Sequence, residues 1–353
     1  MIVPMPFSAR GVLILFAALC VVQTAAAQGR TPAQSLRSSH GIAGGEAPAL
    51  SAVEWLQRMH AAARQRTYVG TFVVSASTGN LSSSRIWHVC EGDLQLERIE
   101  ALSGPPRSTF RRNDHVMTFL PEAKVVKSEK RENAELFPNL LGTPDSSIDE
   151  YYRARVLGKD RVAGFDSDVV QLEPRDGLRF GYRVWSERRS GLVVKLQTTD
   201  GEGRVIEQSA FSELQLDAPV KAQALAQMMA STAGYRVEKS EFERTTASKE
   251  GWLLRTPVAG FKPLNCYRRS LGGGAQGHQT IQWTFSDGLA SVSLFVEPYD
   301  AQRQPREALM ALGATYTLTR RLTDKDGDWW LTAVGEVPPQ TLDAFAQSLA
   351  RAR

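Results

Sequence analysis

Thr67-Tyr68-Val69-Gly70-Thr71-Phe72-Val73-Val74-Ser75-Ala76, followed by Ser77-Thr78-Gly79-Asn80, is the stretch on which the fold turns. Tyr68, Phe72 and Val74 alternate with Val69, Thr71 and Val73, a period of two that belongs to a strand, and the Gly-Asn pair then reverses the chain. The same grammar repeats downstream. Ser84 to Cys90, Leu94 to Ile99, Ser108 to Arg112 and Val116 to Leu120 read as short strands, separated by Asp93, Gly104-Pro105-Pro106 and Asn113-Asp114. Arg153 to Leu157, Ser167 to Glu173, Leu178 to Trp185, Leu192 to Thr198 and Val205 to Leu214 come next. Many short strands with tight turns predict a meandering antiparallel sheet rather than a parallel α/β one. Phe72, Val74, Trp87, Phe180, Tyr182, Val184 and Trp185 offer it a wide apolar face. A long sheet of this kind with a helix against it tends to curl, so the expectation is a half-open antiparallel β-barrel with an apolar concave side. That hollow is filled either by the protein's own side chains or by a lipid.

Upstream, Ser51-Ala52-Val53-Glu54 is a capping box. Behind it Trp55, Leu56, Met59, Ala62 and Ala63 share one helical face. Further upstream, Arg10 precedes the apolar run Gly11 to Val22, and Ala25-Ala26-Ala27 supplies small residues for cleavage. Residues 1–27 therefore read as a signal peptide, and the run is shorter than the roughly 20 residues a membrane span needs. Residues 28–48, rich in Gly, Ser, Ala and Gln, read as a flexible leader. A cleaved Sec-type signal of this kind sets the expectation of export to the periplasm.

Downstream, Lys221 to Ser231 carries Leu225, Met228 and Met229 at helical spacing and ends a first domain at residues 49–232. Residues 233–250 turn charged and small, as a linker does. A second domain, 251–353, shows strands near Asn265 to Arg269, Thr280 to Ser286, Ala290 to Glu297, Thr315 to Leu322 and Trp329 to Gly335. It also shows two expected helices. One runs from Arg306 to Leu312 and closes on Gly313; the other starts at Pro338-Pro339 with Leu342, Phe345 and Leu349 on one face. The class is α+β: a half-open barrel with helices, plus a smaller α+β domain.

The 353 residues are 42% apolar and 23% charged, which excludes collagen-like and wholly disordered chains. A net charge of +4, scattered along the sequence, is too diffuse to argue for nucleic acid. Three Cys exclude a disulfide-stapled miniprotein or a four-ligand zinc module. Once residues 1–27 are removed, Cys90 and Cys266 remain; they fall in different domains, so free thiols are expected.

Catalytic signatures are missing. There is no G-x-S-x-G, H-E-x-x-H or C-x-x-C. His88 and Cys90 share a strand face but lack a third, orienting group. His60, His115 and His278 stand alone, and His40 lies in the leader, so neither a metal nor another cofactor is expected. Gly272 to Gly277 satisfies G-x-G-x-x-G in form only, because His278 to Phe285 alternates as a strand where a nucleotide site needs a helix. Binding is what remains. Arg107, Arg111 and Arg112 cluster, as do Lys124, Lys127, Lys130 and Arg131, and the second cluster leads into the apolar run Leu136-Phe137-Pro138-Asn139-Leu140-Leu141. Basic residues beside a greasy loop suit an amphiphile with an anionic head; an ordinary solvated charged face is the competing explanation.

Six stretches together carry a family resemblance: Trp55-Leu56-Gln57-Arg58-Met59, Tyr68-Val69-Gly70-Thr71-Phe72, Arg161-Val162-Ala163-Gly164, Tyr182-Arg183-Val184-Trp185, Phe285-Ser286-Asp287-Gly288-Leu289 and Gly335 to Thr341. In order and spacing they resemble the MucB/RseB periplasmic regulators of envelope-stress sigma factors. The resemblance implies a first domain similar to the lipoprotein carriers LolA and LppX. It also implies a second domain that helps grip the periplasmic segment of a membrane anti-sigma factor of the RseA/MucA type. The bound segment would be shielded from proteolysis, and lipopolysaccharide or another lipid would relieve the inhibition, with rotation of the domains about 233–250 as the two-state element. The family brings no catalytic residues.

On chemistry alone, lipid contact is expected at Phe72, Trp87, Phe137, Leu140, Leu141 and Tyr182, with Lys127, Lys130 and Arg131 for the head group. Partner contact is expected at Asp287, Gly288, Leu289, Phe295, Arg268 and Arg269. A homo-oligomer is left open. A plain lipid carrier is the rival reading, and the second domain speaks against it.

Overall fold

The computed structural model describes residues 50–130, 137–138, 147–239, 242–271, 278–304, 306–325 and 327–352. The expected signal and leader, 1–48, lie outside them. The chain runs through α1 (Ala52–Gln65), β1 (Tyr68–Ala76), β2 (Leu81–Glu91), β3 (Leu94–Ala101), β4 (Ser108–Arg112), β5 (His115–Leu120), β6 (Val125–Lys130) and α2 (Ile148–Tyr151). It continues through β7 (Tyr152–Val162), β8 (Phe165–Pro174), β9 (Gly181–Glu187), β10 (Val193–Thr199), β11 (Val205–Leu216), α3 (Ala222–Ala230) and β12 (Arg236–Lys239). The second part holds β13 (Phe242–Arg244), β14 (Trp252–Leu254), β15 (Lys262–Leu271), β16 (His278–Ser286), β17 (Ser291–Pro298) and β18 (Ala308–Leu312). It ends with β19 (Thr315–Asp324), β20 (Gly327–Gly335), α4 (Pro339–Ser348) and β21 (Leu349–Arg351).

The first sheet has 12 strands in the order β12-β6-β5-β4-β3-β2-β1-β11-β10-β9-β8-β7. Apart from the parallel β12–β6 pair it is antiparallel throughout. Its two outer strands do not pair, so it stays open. It nevertheless curls, because β7 comes back against β11 although three strands separate them. The half-open barrel grows out of the alternation that begins at Tyr68.

Helix α1 starts as its sequence demands. Ser51 Oγ accepts from the Glu54 N–H at 3.3 Å, and the Glu54 carboxylate accepts from the Ser51 N–H at 2.7 Å. Its buried side, Trp55, Leu56 and Met59, packs on Tyr152, Val170, Leu172, Tyr182 and Val184. Ala62 and Ala63 join Tyr68, Phe72, Ile86 and Phe211. Helix α3 covers the opposite face of β2 and β3, where Ala222 and Leu225 meet Val89 and Leu96. In the second part, a seven-stranded sheet ordered β13-β15-β16-β17-β20-β19-β18 packs on α4 through Val292, Leu294, Leu331, Leu342 and Phe345.

The fold departs from expectation in two places. Arg306 to Leu312 is not a helix; Ala308–Leu312 is a strand that pairs with β19 across Gly313-Ala314. So short a segment has no helical stability of its own, and a glycine after it serves a hairpin turn as well as a helix end, so pairing with β19 decides. Residues 233–250, expected as a linker, contain two strands. β12 extends the first sheet and β13 the second, each on an outer edge.

Candidate functional site

The concave face is packed. Phe72 and Tyr182 lie there as expected, both buried. Phe137 sits among them, with its ring 5.4 Å from that of Phe72 and 5.1 Å from that of Phe211. Helix α1 and Phe137 thus occupy the hollow. Trp87 is a correction. It lies one residue from both Ile86 and His88, which face the concave side, so strand alternation turns Trp87 to the other face, against the α3 cluster. There the Arg98 and Arg85 guanidinium groups stack on its ring, 4.8 and 5.3 Å from the centroid. Leu140, Leu141 and Arg131 lie outside the described residues.

His88 is equally committed. Its Nδ1 is 2.8 Å from the Arg66 carbonyl and its ring stacks on Tyr68 at 4.9 Å. Burial pushes its pKa below the usual histidine range, and the same burial lifts the Tyr68 phenol well above its own. No arrangement with Cys90 results. Cys90 and Cys266 are both free thiols. Burial, with the Glu250 carboxylate nearby, pushes the Cys266 thiol up to about 11. Among the described residues no three His, Cys, Asp or Glu side chains converge as metal ligands would. The glycine-rich segment 272–277 lies outside the described residues, and it leads into strand β16 rather than into a helix.

Open space lies elsewhere, at the boundary between the two sheets. A cleft of about 340 Å³ is lined by His115 and Lys130 from the first sheet's edge, Lys239 from β12, and Phe242, Arg244 and Tyr267 from β13 and β15. Among the described residues Glu129 is its one lining carboxylate, so the cleft is positive in balance. Phe242 and Tyr267 form an aromatic wall, ring centroids 6.0 Å apart. The Arg269 guanidinium stacks 4.6 Å from the Phe242 centroid and 6.0 Å from that of Phe295, and donates to Gln282 Oε1 at 2.7 Å. Of the residues expected from the sequence, only Lys130 lines this cleft; Arg269 stands behind its Phe242 wall, with Phe295 next to Arg269. Lys127 is exposed on β6 outside the cleft, and Arg268 is held by Glu243 and Glu250 at 3.0 and 2.6 Å. A larger cavity, about 680 Å³, is lined on the first sheet's side by Arg155, Arg183 and Arg204 and on the other by Tyr316, Pro338 and Gln340.

Between these openings the halves are locked together. Asp287 and Leu289, expected on a partner-facing surface, are buried inside the molecule, which corrects that expectation. The Asp287 carboxylate accepts four hydrogen bonds. Oδ2 takes Arg179 Nε at 2.6 Å and the Tyr152 hydroxyl at 3.3 Å; Oδ1 takes the N–H groups of Leu289 and Ala290 at 2.9 and 2.7 Å. Burial, with that carboxylate beside it, holds the Tyr152 phenol well above its usual pKa, so it stays a donor. Arg179 also donates to Asp176 and to the Ala259 carbonyl, and its guanidinium lies 4.3 Å from the Tyr151 ring centroid and 4.8 Å from that of Phe261. A Cβ on Gly260, at φ +81, would collide with the same guanidinium and with Tyr151. Leu289 inserts into the first domain's core, Thr341 Oγ1 donates to the Leu178 carbonyl at 2.7 Å, and Gly288, at φ +95, makes the turn between Asp287 and Leu289. Arg179 and Tyr152 were not among the residues expected from the sequence. The one local signal was a cation between Leu178 and Phe180 in an apolar run.

Two sheet domains clamped by a buried ion pair, with their openings at a charged boundary and their hollow filled, define a two-domain binding protein. Residues 51–229 match the MucB/RseB N-terminal domain and residues 246–350 the MucB/RseB C-terminal domain; the chain belongs to the MucB/RseB family. It is 30% identical to the sigma factor AlgU regulatory protein MucB of Pseudomonas aeruginosa over 314 residues, 85% of this chain and 91% of that one. It is 25% identical to the sigma-E factor regulatory protein RseB of Escherichia coli K12 over 83% of this chain and 89% of the relative. A crystal structure of MucB in complex with MucA(peri) superimposes with a TM-score of 0.64 at 26% identity, covering 86% of this chain and 99% of that one. The Pseudomonas aeruginosa MucA/MucB complex gives 0.65 at 27% identity, over 85% and 99%.

Proposed function

We propose that the chain is a periplasmic negative regulator of an envelope-stress sigma-factor pathway. It binds the periplasmic segment of a membrane anti-sigma factor, shields that segment from regulated proteolysis, and lets go when lipopolysaccharide or another lipid binds. It acts by reversible contact and not by catalysis. The observation that carries this reading is the match over both domains to MucB solved together with MucA(peri). The positive, aromatic-walled cleft supplies the chemistry for holding a chain segment that bears carboxylates and aromatic side chains. Lipid relief is linkage. Coupling of about 1–3 kcal/mol changes partner affinity roughly five- to 150-fold. An acyl chain entering the concave face would have to displace Phe137, whereas an anionic head group meets the cleft directly. A lipid carrier without a signalling role has less support, since α1 and Phe137 fill the face that a carrier would keep open.

Calorimetric titration of the purified protein with the periplasmic segment of its host's anti-sigma factor tests the reading. Saturable binding that slows cleavage of the segment and weakens when lipopolysaccharide is added is expected. Absence of binding would overturn it. Lipid uptake without partner binding would favour the carrier.

A further inference from the structure

Among the described residues Met59, Met117 and Met229 are buried, whereas Met228 and Met310 are 38% and 55% exposed. Met228 has an unusual neighbour. Its sulfur, in the last turn of α3, accepts from Arg98 Nη1 of β3 at 3.6 Å. Arg98 is held in place. Its guanidinium stacks 4.8 Å from the Trp87 ring centroid and 5.6 Å from that of Phe110, and Nη2 donates to the Glu100 carboxylate at 3.0 Å. Its Nε is buried and has no acceptor among the described residues. A fixed guanidinium short of acceptors thus aims one N–H at a thioether, which is only a weak acceptor.

An exposed thioether is open to two-electron oxidants. The sulfur gives a lone pair to one oxygen of hydrogen peroxide. The S–O bond forms, the O–O bond breaks, and the departing hydroxide takes the remaining proton and leaves as water. Methionine is oxidised by two electrons and peroxide is reduced by two. The new oxygen is bonded to the atom that Arg98 already faces, so a weak N–H···S contact would give way to a charge-assisted N–H···O bond. A sulfoxide inside a core disrupts it. Here the apolar packing belongs to the neighbouring Met229, which lies against Phe110, Phe119 and Val126, while Met228 stands at the rim.

We infer that Met228 is a reversible oxidation site whose sulfoxide is captured by Arg98, fastening the end of α3 to β3. Hydrogen peroxide and other two-electron oxidants are the reactants, and methionine sulfoxide reductase reverses the step. This goes beyond regulator function and does not depend on it. Peptide mass mapping and deuterium exchange of the purified protein, before and after hydrogen peroxide, test it. One oxygen on Met228 is expected, with exchange over Ala222–Ala230 slowed about threefold to tenfold, and reductase should restore both. Met228→Leu should show no slowing, and Arg98→Leu should be oxidised at Met228 without slowing. Circular dichroism confirms that each variant is folded. Should Arg98→Leu fail to fold, Met228→Gln reads the same contact, since its carboxamide oxygen should slow α3 exchange without peroxide. Met228 left unoxidised while Met310 takes up oxygen overturns the inference. So does α3 exchange that quickens or stays unchanged on oxidation, that slows equally in Met228→Leu or Arg98→Leu, or that Met228→Gln leaves as in the wild type.

Discussion

Two of the connections between the halves of this molecule differ in kind. The covalent one is residues 233–250, whose described residues are mostly exposed, Ala247 excepted. β12 and β13 within it are outer strands with mostly exposed side chains. The other, around Arg179 and Asp287, has no covalent bond and no exposure; both partners' side chains are fully buried. An ion pair removed from water costs desolvation that only complete hydrogen bonding offsets, and here every oxygen and nitrogen of the pair has a partner. The peptide link is thus held at sheet edges, while the buried pair joins the interiors of the two domains. Rotation about 233–250 would break that pair, so the release proposed above is less costly if it leaves the joint intact.

The comparison can be broken most sharply at the carboxylate. Asp287→Ala leaves Arg179 buried without its counterion and should cost about 3–5 kcal/mol in urea unfolding. The double replacement Arg179→Leu with Asp287→Leu should cost far less than the sum of the single changes, because no charge is left uncompensated. A loss below about 1 kcal/mol for Asp287→Ala, the scale of an exposed ion pair, would mean that the joint holds nothing. Next in size, Leu289→Ala empties a site in the first domain's core and should cost about 2–4 kcal/mol, seen as earlier exchange of amides in both domains.

Acid gives a smaller, graded effect. His88 is held neutral by burial, so its folded pKa lies below its unfolded value of about 6.5. Between those two values the unfolded chain binds the extra proton. Stability should thus fall as pH drops below about 6.5, by up to about 1.4 kcal/mol per pH unit. Thermal unfolding across pH 5–8 measures the slope, and His88→Phe should flatten it. The least effect belongs to the covalent connection. Val237→Ser on exposed β12 should stay within about 0.5 kcal/mol in the same urea assay, and a loss like that of Leu289→Ala would erase the distinction between the two connections.

What was legible along the chain obeys this division. The strands from Tyr68 onward, the capping box at Ser51, and the buried face of α1 are written in local periodicity, which needs no knowledge of what packs opposite; Met228 of the expected α3 face is instead exposed, and Leu349 of the expected last helix lies in β21. Trp87 was misplaced because it was grouped with Phe72 by hydrophobicity, while its neighbours Ile86 and His88 already held the concave face. β18 was misread because seven residues ending in glycine suit a helix end and a hairpin equally. Asp287-Gly288-Leu289 reads as an exposed turn, and only the fold brings Arg179, 108 residues away, against it.

The sequence by itself determined an open antiparallel sheet with a capped helix, a smaller α+β domain and a family. These depend on side-chain alternation and helical spacing, or on ordered stretches spread over the chain. Tertiary structure alone decided that Phe137 fills the hollow, that Asp287 faces inward, and that Lys130 and Phe242 line one cleft. Those outcomes depend on contacts between distant residues, whose energies come from excluding water at places that no local pattern marks.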